Sequence, residues 1–202
     1  ELTINPNNSN EYLLDETWVP FELEKDYLHI KLLGFLRIKI KQNFKYSKFG
    51  PVLEIQDKTF ALRHSTQNSF QEIDGWFSLN QANSVQAFES ALSTRKIPSF
   101  NFVVMDSAQN IGFFYNGRIP NRENAQAARE ILQGNSSKDI WPFNKPIRSL
   151  PTFINPPNGW VQSTNQNPYA VMGEYSSALD PNSPNVYFEQ RLTNRSFVAN
   201  EL

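Results

Sequence analysis

Apolar and polar positions alternate from Leu28 to Leu32 and again from Leu36 to Lys41. Leu28, Ile30 and Leu32 are interleaved with His29 and Lys31; after Gly34, Leu36, Ile38 and Ile40 are interleaved with Arg37, Lys39 and Lys41. A period of two marks strands with two unlike faces, and the glycine between the runs predicts a hairpin with one wet face. The Lys31, Arg37, Lys39 and Lys41 stripe is read as a solvated face rather than an anion-binding surface, the ordinary condition of exposed charge. Strand-like patterning extends from Tyr12 to Val52, while residues 1–10 are polar and read as a frayed start. Phe49-Gly50-Pro51-Val52-Leu53 is a turn into a further strand, and another is expected over 60–63.

The period then changes. Val85, Phe88 and Leu92 recur at helical spacing, with Asn83 or Ser84 as cap and Pro98 as stop, which predicts a helix within 83–96. Phe100 to Val104 and Ile111 to Tyr115 flank the polar run Asp106 to Asn110, predicting a second hairpin. A helix is expected from Glu123 to Gln133 with Gly134 as its C-cap, and a closing helix over about 185–198. Between them lies proline- and asparagine-rich loop with short strands. The expected class is α+β and strand-dominated, without the strand–helix rhythm of a doubly wound sheet.

Composition narrows the function classes. At 202 residues, one domain, or at most two small ones, is the expectation. With 39% hydrophobic and 19% charged residues, the chain is neither a charged disordered tail nor a coiled coil. A net charge of −1 and a pI near 6.2 argue against a nucleic-acid partner. No apolar run is long enough for a helical membrane span, so no membrane partner is expected. Glu1 stands where an initiator Met or leader would be, and is read as a processed end or a cut boundary. The absence of cysteine removes disulfides, thiolate metal sites and a Cys nucleophile.

Candidate chemistry is sparse. His29 and His64 are the only histidines, in no metal-binding spacing, and no Gly-x-Ser-x-Gly elbow accompanies them. Asp106 to Gly112 has a faint likeness to a calcium loop but lacks its further acidic positions, and reads as a hairpin turn. The densest segment is Ile154-Asn155-Pro156-Pro157-Asn158-Gly159-Trp160-Val161-Gln162-Ser163-Thr164-Asn165-Gln166-Asn167-Pro168. Trp160 to Thr164 reads as a strand. An asparagine amide at its end can donate to an oxyanion, but from the residues alone the favoured reading is that Asn165, Gln166 and Asn167 bond their own backbone.

Four elements, in order, resemble the later part of the β chain of penicillin-acylase-type amidases. They are Phe49-Gly50-Pro51-Val52, the run from Asn101 through Tyr115 to Gly117-Arg118-Ile119-Pro120-Asn121-Arg122, the segment Asn155 to Asn165, and Glu189-Gln190-Arg191-Leu192. The resemblance spans Tyr12 to Leu192 and implies part of a four-layer α-β-β-α sandwich of the N-terminal-nucleophile hydrolases. It implies an amidohydrolase acting on a small N-acyl substrate of β-lactam, acyl-homoserine lactone or lipopeptide type. The nucleophile would be a β-chain N-terminal Ser whose own α-amino group is the base. Since this chain begins at Glu1, the expected partners are an α chain and the N-terminal part of the β chain, and the chain alone is expected to be inactive.

By the same resemblance, Asn165 is the side-chain oxyanion donor, Arg191 holds that Asn and the amino end, and Phe77 lines the acyl pocket. For Phe77, an ordinary core aromatic is an equal alternative. A periplasmic or extracellular location is implied. No cofactor is expected within these residues; any calcium site would belong to the full enzyme, the family's ligands lying mainly before Glu1, and Ala128 stands where a proline carbonyl is often used. Phe49 replaces the usual His before Gly-Pro-Val. A non-enzymatic, β-rich ligand-binding domain is the alternative reading.

Overall fold

The computed structural model describes residues 1–67, 70–120, 130–141, 150–173 and 193–201. It is α+β and strand-dominated, with few helices. The chain divides into two compact units, one from residues 1–67 and 127–141, the other from 68–126 and 142–202.

In the first unit, β1 (Ile4–Asn5), β2 (Asn8–Leu14) and β3 (Thr17–Pro20) form an antiparallel sheet. The start of the chain is therefore not frayed, contrary to the expectation from its polarity. Leu2 is buried, and its N–H donates to Thr59 O at 2.8 Å. Tyr12 and Leu14 alternate into a core with Leu2, Phe21 and Phe49. The Tyr12 ring stacks on Phe21 at 4.9 Å, and its hydroxyl accepts from Lys48 N–H at 2.9 Å, so the buried phenol is not orphaned.

β4 (Glu22–Leu32) and β5 (Leu36–Tyr46) pair in register, Leu28 opposite Ile40 and Ile30 opposite Ile38. The hairpin is as expected, but its burial is not. Every residue from Glu22 to Phe44 is exposed, so the aliphatic face is wet as well as the basic one. β6 (Val52–Ile55) and β7 (Lys58–Ala61) form a second hairpin.

Gly50 precedes β6 at φ 145°, and a Cβ there would meet Leu62 O at 2.2 Å, so only glycine fits. Phe49 lies in the core, where the bulk of its ring is used, while its carbonyl accepts from Arg63 Nη1 at 3.0 Å.

The second unit is built around β9 (Ile111–Gly117), which pairs antiparallel with β8 (Ser99–Met105) on one side and β10 (Thr152–Ile154) on the other. Two helices, α1 (Glu72–Asn80) and α2 (Val85–Ser93), supply Leu79, Val85 and Leu92 to a core with Ile97 and Phe114. Ser84 caps α2, its hydroxyl accepting from Ala87 N–H at 3.1 Å. On the opposite side of β9, Phe113 is fully buried with Val171 and Met172. The alternation of a strand sends Phe113 and Phe114 to opposite faces, and both faces are covered.

The expected helix from Glu123 to Gln133 lies mostly outside the described residues, and its described end, 130–133, is not helical. α3 (Asn194–Glu201) begins later than the helix expected over 185–198, of which 185–192 lie outside the described residues.

Candidate functional site

The segment after β10 is folded by its own asparagines. Asn155, at φ 48°, accepts from Ile111 N–H at 2.9 Å through Oδ1 and donates from Nδ2 to Asn110 Oδ1 at 2.9 Å. Asn158 donates to Met172 O at 3.1 Å, and Gln162 N–H donates to Val171 O at 3.0 Å. These bonds close a loop over 158–172 whose far end is anchored by Val171 against Phe113.

Trp160 to Thr164 is consequently not a strand, contrary to expectation. Val161 packs against the Phe113 core, but Gln162 to Thr164 are polar, and the Gln162 N–H bonds back across the loop to Val171 O instead of entering a ladder.

Asn165 sits at the crest of this loop, exposed, with φ 61°. That left-handed conformation costs asparagine less than other side-chain-bearing residues. Its Oδ1 accepts from Arg195 Nη2 at 2.8 Å, and the same nitrogen donates to Thr164 O at 3.0 Å. Guanidinium groups only donate, so the carboxamide oxygen must face Arg195 and the Nδ2 hydrogens must face away. The result is a neutral N–H donor held in one orientation at an exposed position.

Two neighbours bond inward. Gln166 and Asn167 are buried; Asn167 Oδ1 accepts from Tyr169 N–H at 2.9 Å and caps the short 3-10 turn Pro168–Ala170. The backbone-bonding alternative thus describes Gln166 and Asn167, whereas the Asn165 amide is turned outward.

Arg191 lies outside the described residues. Among the described residues, Arg195, four positions further along the sequence, is the cation that meets Asn165. Nothing in the residue types or the spacing separates the two arginines, so sequence reasoning had no signal with which to prefer Arg195. Phe77 stands on α1 at 64% exposure, so it is not a core aromatic, and no contact among the described residues joins it to Asn165. Its neighbour Trp76 packs edge-on against Phe100 at 5.2 Å and Phe102 at 5.8 Å.

Among the described residues no group of three His, Asp or Glu side chains is placed to hold a metal. Asp106 is occupied otherwise. Its carboxylate accepts from Val85 N–H at 3.2 Å, Ala108 N–H at 3.0 Å and Asn110 N–H at 2.9 Å, and from Asn110 Nδ2 at 2.9 Å. These donors, the Asn110 side chain foremost, hold its pKa below the ordinary carboxylate value. His64 contacts Thr66 Oγ1 at 2.7 Å, and His29 is exposed on β4. Neither forms a nucleophile–base pair among the described residues.

The family model for penicillin amidase matches residues 1–196. An acyl-homoserine lactone acylase, PvdQ, of Pseudomonas syringae pv. tomato is 26% identical over a match covering 69% of this chain and 20% of that protein. PvdQ of Pseudomonas savastanoi pv. phaseolicola matches to the same extent. The chain spans about one fifth of the length of these relatives. The thermostable penicillin G acylase from Alcaligenes faecalis shares the fold, with a TM-score of 0.72 at 21% identity, over 96% of this chain and 32% of that one. By its family match, this chain belongs to the penicillin amidase family.

Proposed function

We propose that this chain supplies one half of the oxyanion hole of an amidohydrolase that cleaves the linear amide bond of a small N-acyl substrate. The observation that carries the reading is the Asn165 carboxamide, turned outward by Arg195. In the reaction, the carbonyl of the substrate is attacked by an N-terminal Ser that lies outside these 202 residues. The α-amino group of that Ser takes its proton. As the carbonyl becomes tetrahedral its oxygen gains negative charge, and Asn165 Nδ2 donates a hydrogen bond to it. The amide is neutral at every pH and has no proton to lose, so the donor works wherever the nucleophile does.

Arg195 takes the holding role that the resemblance assigns to Arg191. Its charge also polarises the carboxamide, which strengthens the Nδ2 donors. Phe77, exposed and apolar, is the proposed contact for the acyl group. The partners are the α chain and the N-terminal part of the β chain, in an exported enzyme. The likeness to PvdQ makes an acyl-homoserine lactone the first substrate to try.

The test is Asn165→Gly in the complete acylase, because glycine keeps the φ of 61° while the carboxamide is removed, both its Nδ2 donor and the Oδ1 that meets Arg195. The expected result is a fall in kcat of about 10²–10³ with KM little changed. A kcat within about threefold of wild type, beside an undisturbed melting curve, overturns the assignment.

A further inference from the structure

Asn165 and Arg195 come from different segments, a loop and a helix, so something must set their separation. The candidates are the hydroxyls beneath them. Gln166, 4% exposed, accepts at Oε1 from both Thr164 N–H and Thr164 Oγ1, the latter at 2.8 Å, and its Nε2 donates to Ala170 O at 3.4 Å. Since a backbone N–H can only donate, the atom it meets must be the amide oxygen, which fixes the flip of Gln166.

From there the direction of every hydroxyl proton follows, because each hydroxyl has one proton to give. Thr164 has given its proton to Gln166, so in its 3.0 Å contact with Ser196 Oγ it accepts and Ser196 donates. Ser196 in turn must accept from Thr193 Oγ1 at 3.1 Å. Thr193 Oγ1 finally accepts from Ser196 N–H at 3.3 Å, the bond of a helix N-cap to its third residue. Ser196 is fully buried, so water does not compete for its hydroxyl.

We infer that this one-way chain, Thr193 to Ser196 to Thr164 to Gln166, is a positioning device that ties the first turn of α3 to the Asn165 loop. It keeps Arg195 in reach of the Asn165 oxygen. Thr164, Ser196 and Gln166 touch no reacting atom; they act through Asn165 and Arg195. The inference deepens the oxyanion reading above and rests on it for its catalytic consequence.

The isosteric pair Thr164→Val and Thr164→Ser separates the hydroxyl from the shape. In the 202-residue chain, three-bond couplings about the Asn165 Cα–Cβ bond are expected to show one rotamer in wild type and Thr164→Ser, and averaging in Thr164→Val. In the complete acylase, Thr164→Val is expected to lower kcat about tenfold with KM unchanged, and Thr164→Ser to stay within about twofold of wild type. Should Thr164→Val fail to fold, Ser196→Ala breaks the same chain one link away and is expected to give the same averaging.

A single Asn165 rotamer in a folded Thr164→Val or Ser196→Ala protein overturns the positioning device and leaves the oxyanion reading standing. Averaging with an unchanged kcat sinks the oxyanion reading, and this inference with it.

Discussion

The hairpins β4–β5 and β8–β9 are both antiparallel, but β4–β5 alternates apolar and polar residues, whereas β8–β9 carries the continuous apolar runs Phe102 to Met105 and Phe113 to Tyr115. β9 is largely buried where β4 and β5 are largely exposed. In β4–β5, Ile30 and Ile38 face each other across the ladder at 40% and 38% exposure. In β8–β9, Phe113 and Phe114 are 0% and 2% exposed, one on each side of the sheet. The difference lies in what packs on each ribbon. β9 has β10 at its free edge, helices on one face and the 158–172 loop on the other, whereas β4–β5 is a two-stranded sheet with neither face covered. Alternation therefore states which residues share a face, and nothing about whether that face is dry. The stability of β4–β5 comes from cross-strand pairs such as Leu28–Ile40 and from local contacts such as Lys39 over the Tyr27 ring at 4.0 Å.

The contrast breaks most sharply under matched truncations. Phe113→Ala is expected to destabilise the second unit by about 3–5 kcal/mol, because it empties a filled site. Urea unfolding followed by exchange of the β8 and β9 amides measures this, and a loss below about 1 kcal/mol would contradict the packing described.

An intermediate effect is expected at Asp106, which joins the β8–β9 turn to the start of α2. Its folded pKa lies below the ordinary value of 3.8. The stabilisation is thus fully present above pH 3.8 and is lost as the pH falls through the lowered folded value. Asp106→Asn is expected to be less stable at neutral pH and to lose less on acidification. Parallel acid-unfolding curves for the two proteins would refute it.

The smallest effect belongs to Ile38→Ala, about 0.2–1 kcal/mol, since only a cross-strand pair is weakened and no cavity forms. A loss of 3 kcal/mol there would show that the face is covered after all.

Much of the fold was legible for physical reasons. Alternation announced β4 and β5, a polar turn between apolar runs announced β8 and β9, and Ser84 before Val85, Phe88 and Leu92 announced α2. α1 was not legible. It buries only Gly75 and Leu79, leaves Ile73 and Phe77 exposed, and begins at Gln71 with no side-chain cap, so it writes no stripe and no start signal. β1 and the start of β2 were hidden by their polarity, their order coming from backbone pairing and the burial of Leu2. At the candidate site, Asn165 was found through family resemblance alone. Its setting on a loop, and the arginine that faces it, depend on contacts about thirty residues apart that no local pattern encodes.

The open ribbon of β4 and β5 has a further consequence, for how the protein behaves in concentrated solution. A two-stranded sheet has an edge on each side, and an exposed, flat, apolar edge strand is a template for another copy of itself. Lys25, Lys31, Arg37, Lys39 and Lys41 stand on the other face of the same ribbon, all of one sign. Adding a second ribbon edge to edge brings two such rows together, and their repulsion opposes the join. That protection is purely electrostatic. The screening length shrinks from about 10 Å at 0.1 M salt to about 3 Å at 1 M. Raising the salt therefore removes the guard while leaving the aliphatic face in place, and the chain keeps apart from its own copies best in dilute buffer.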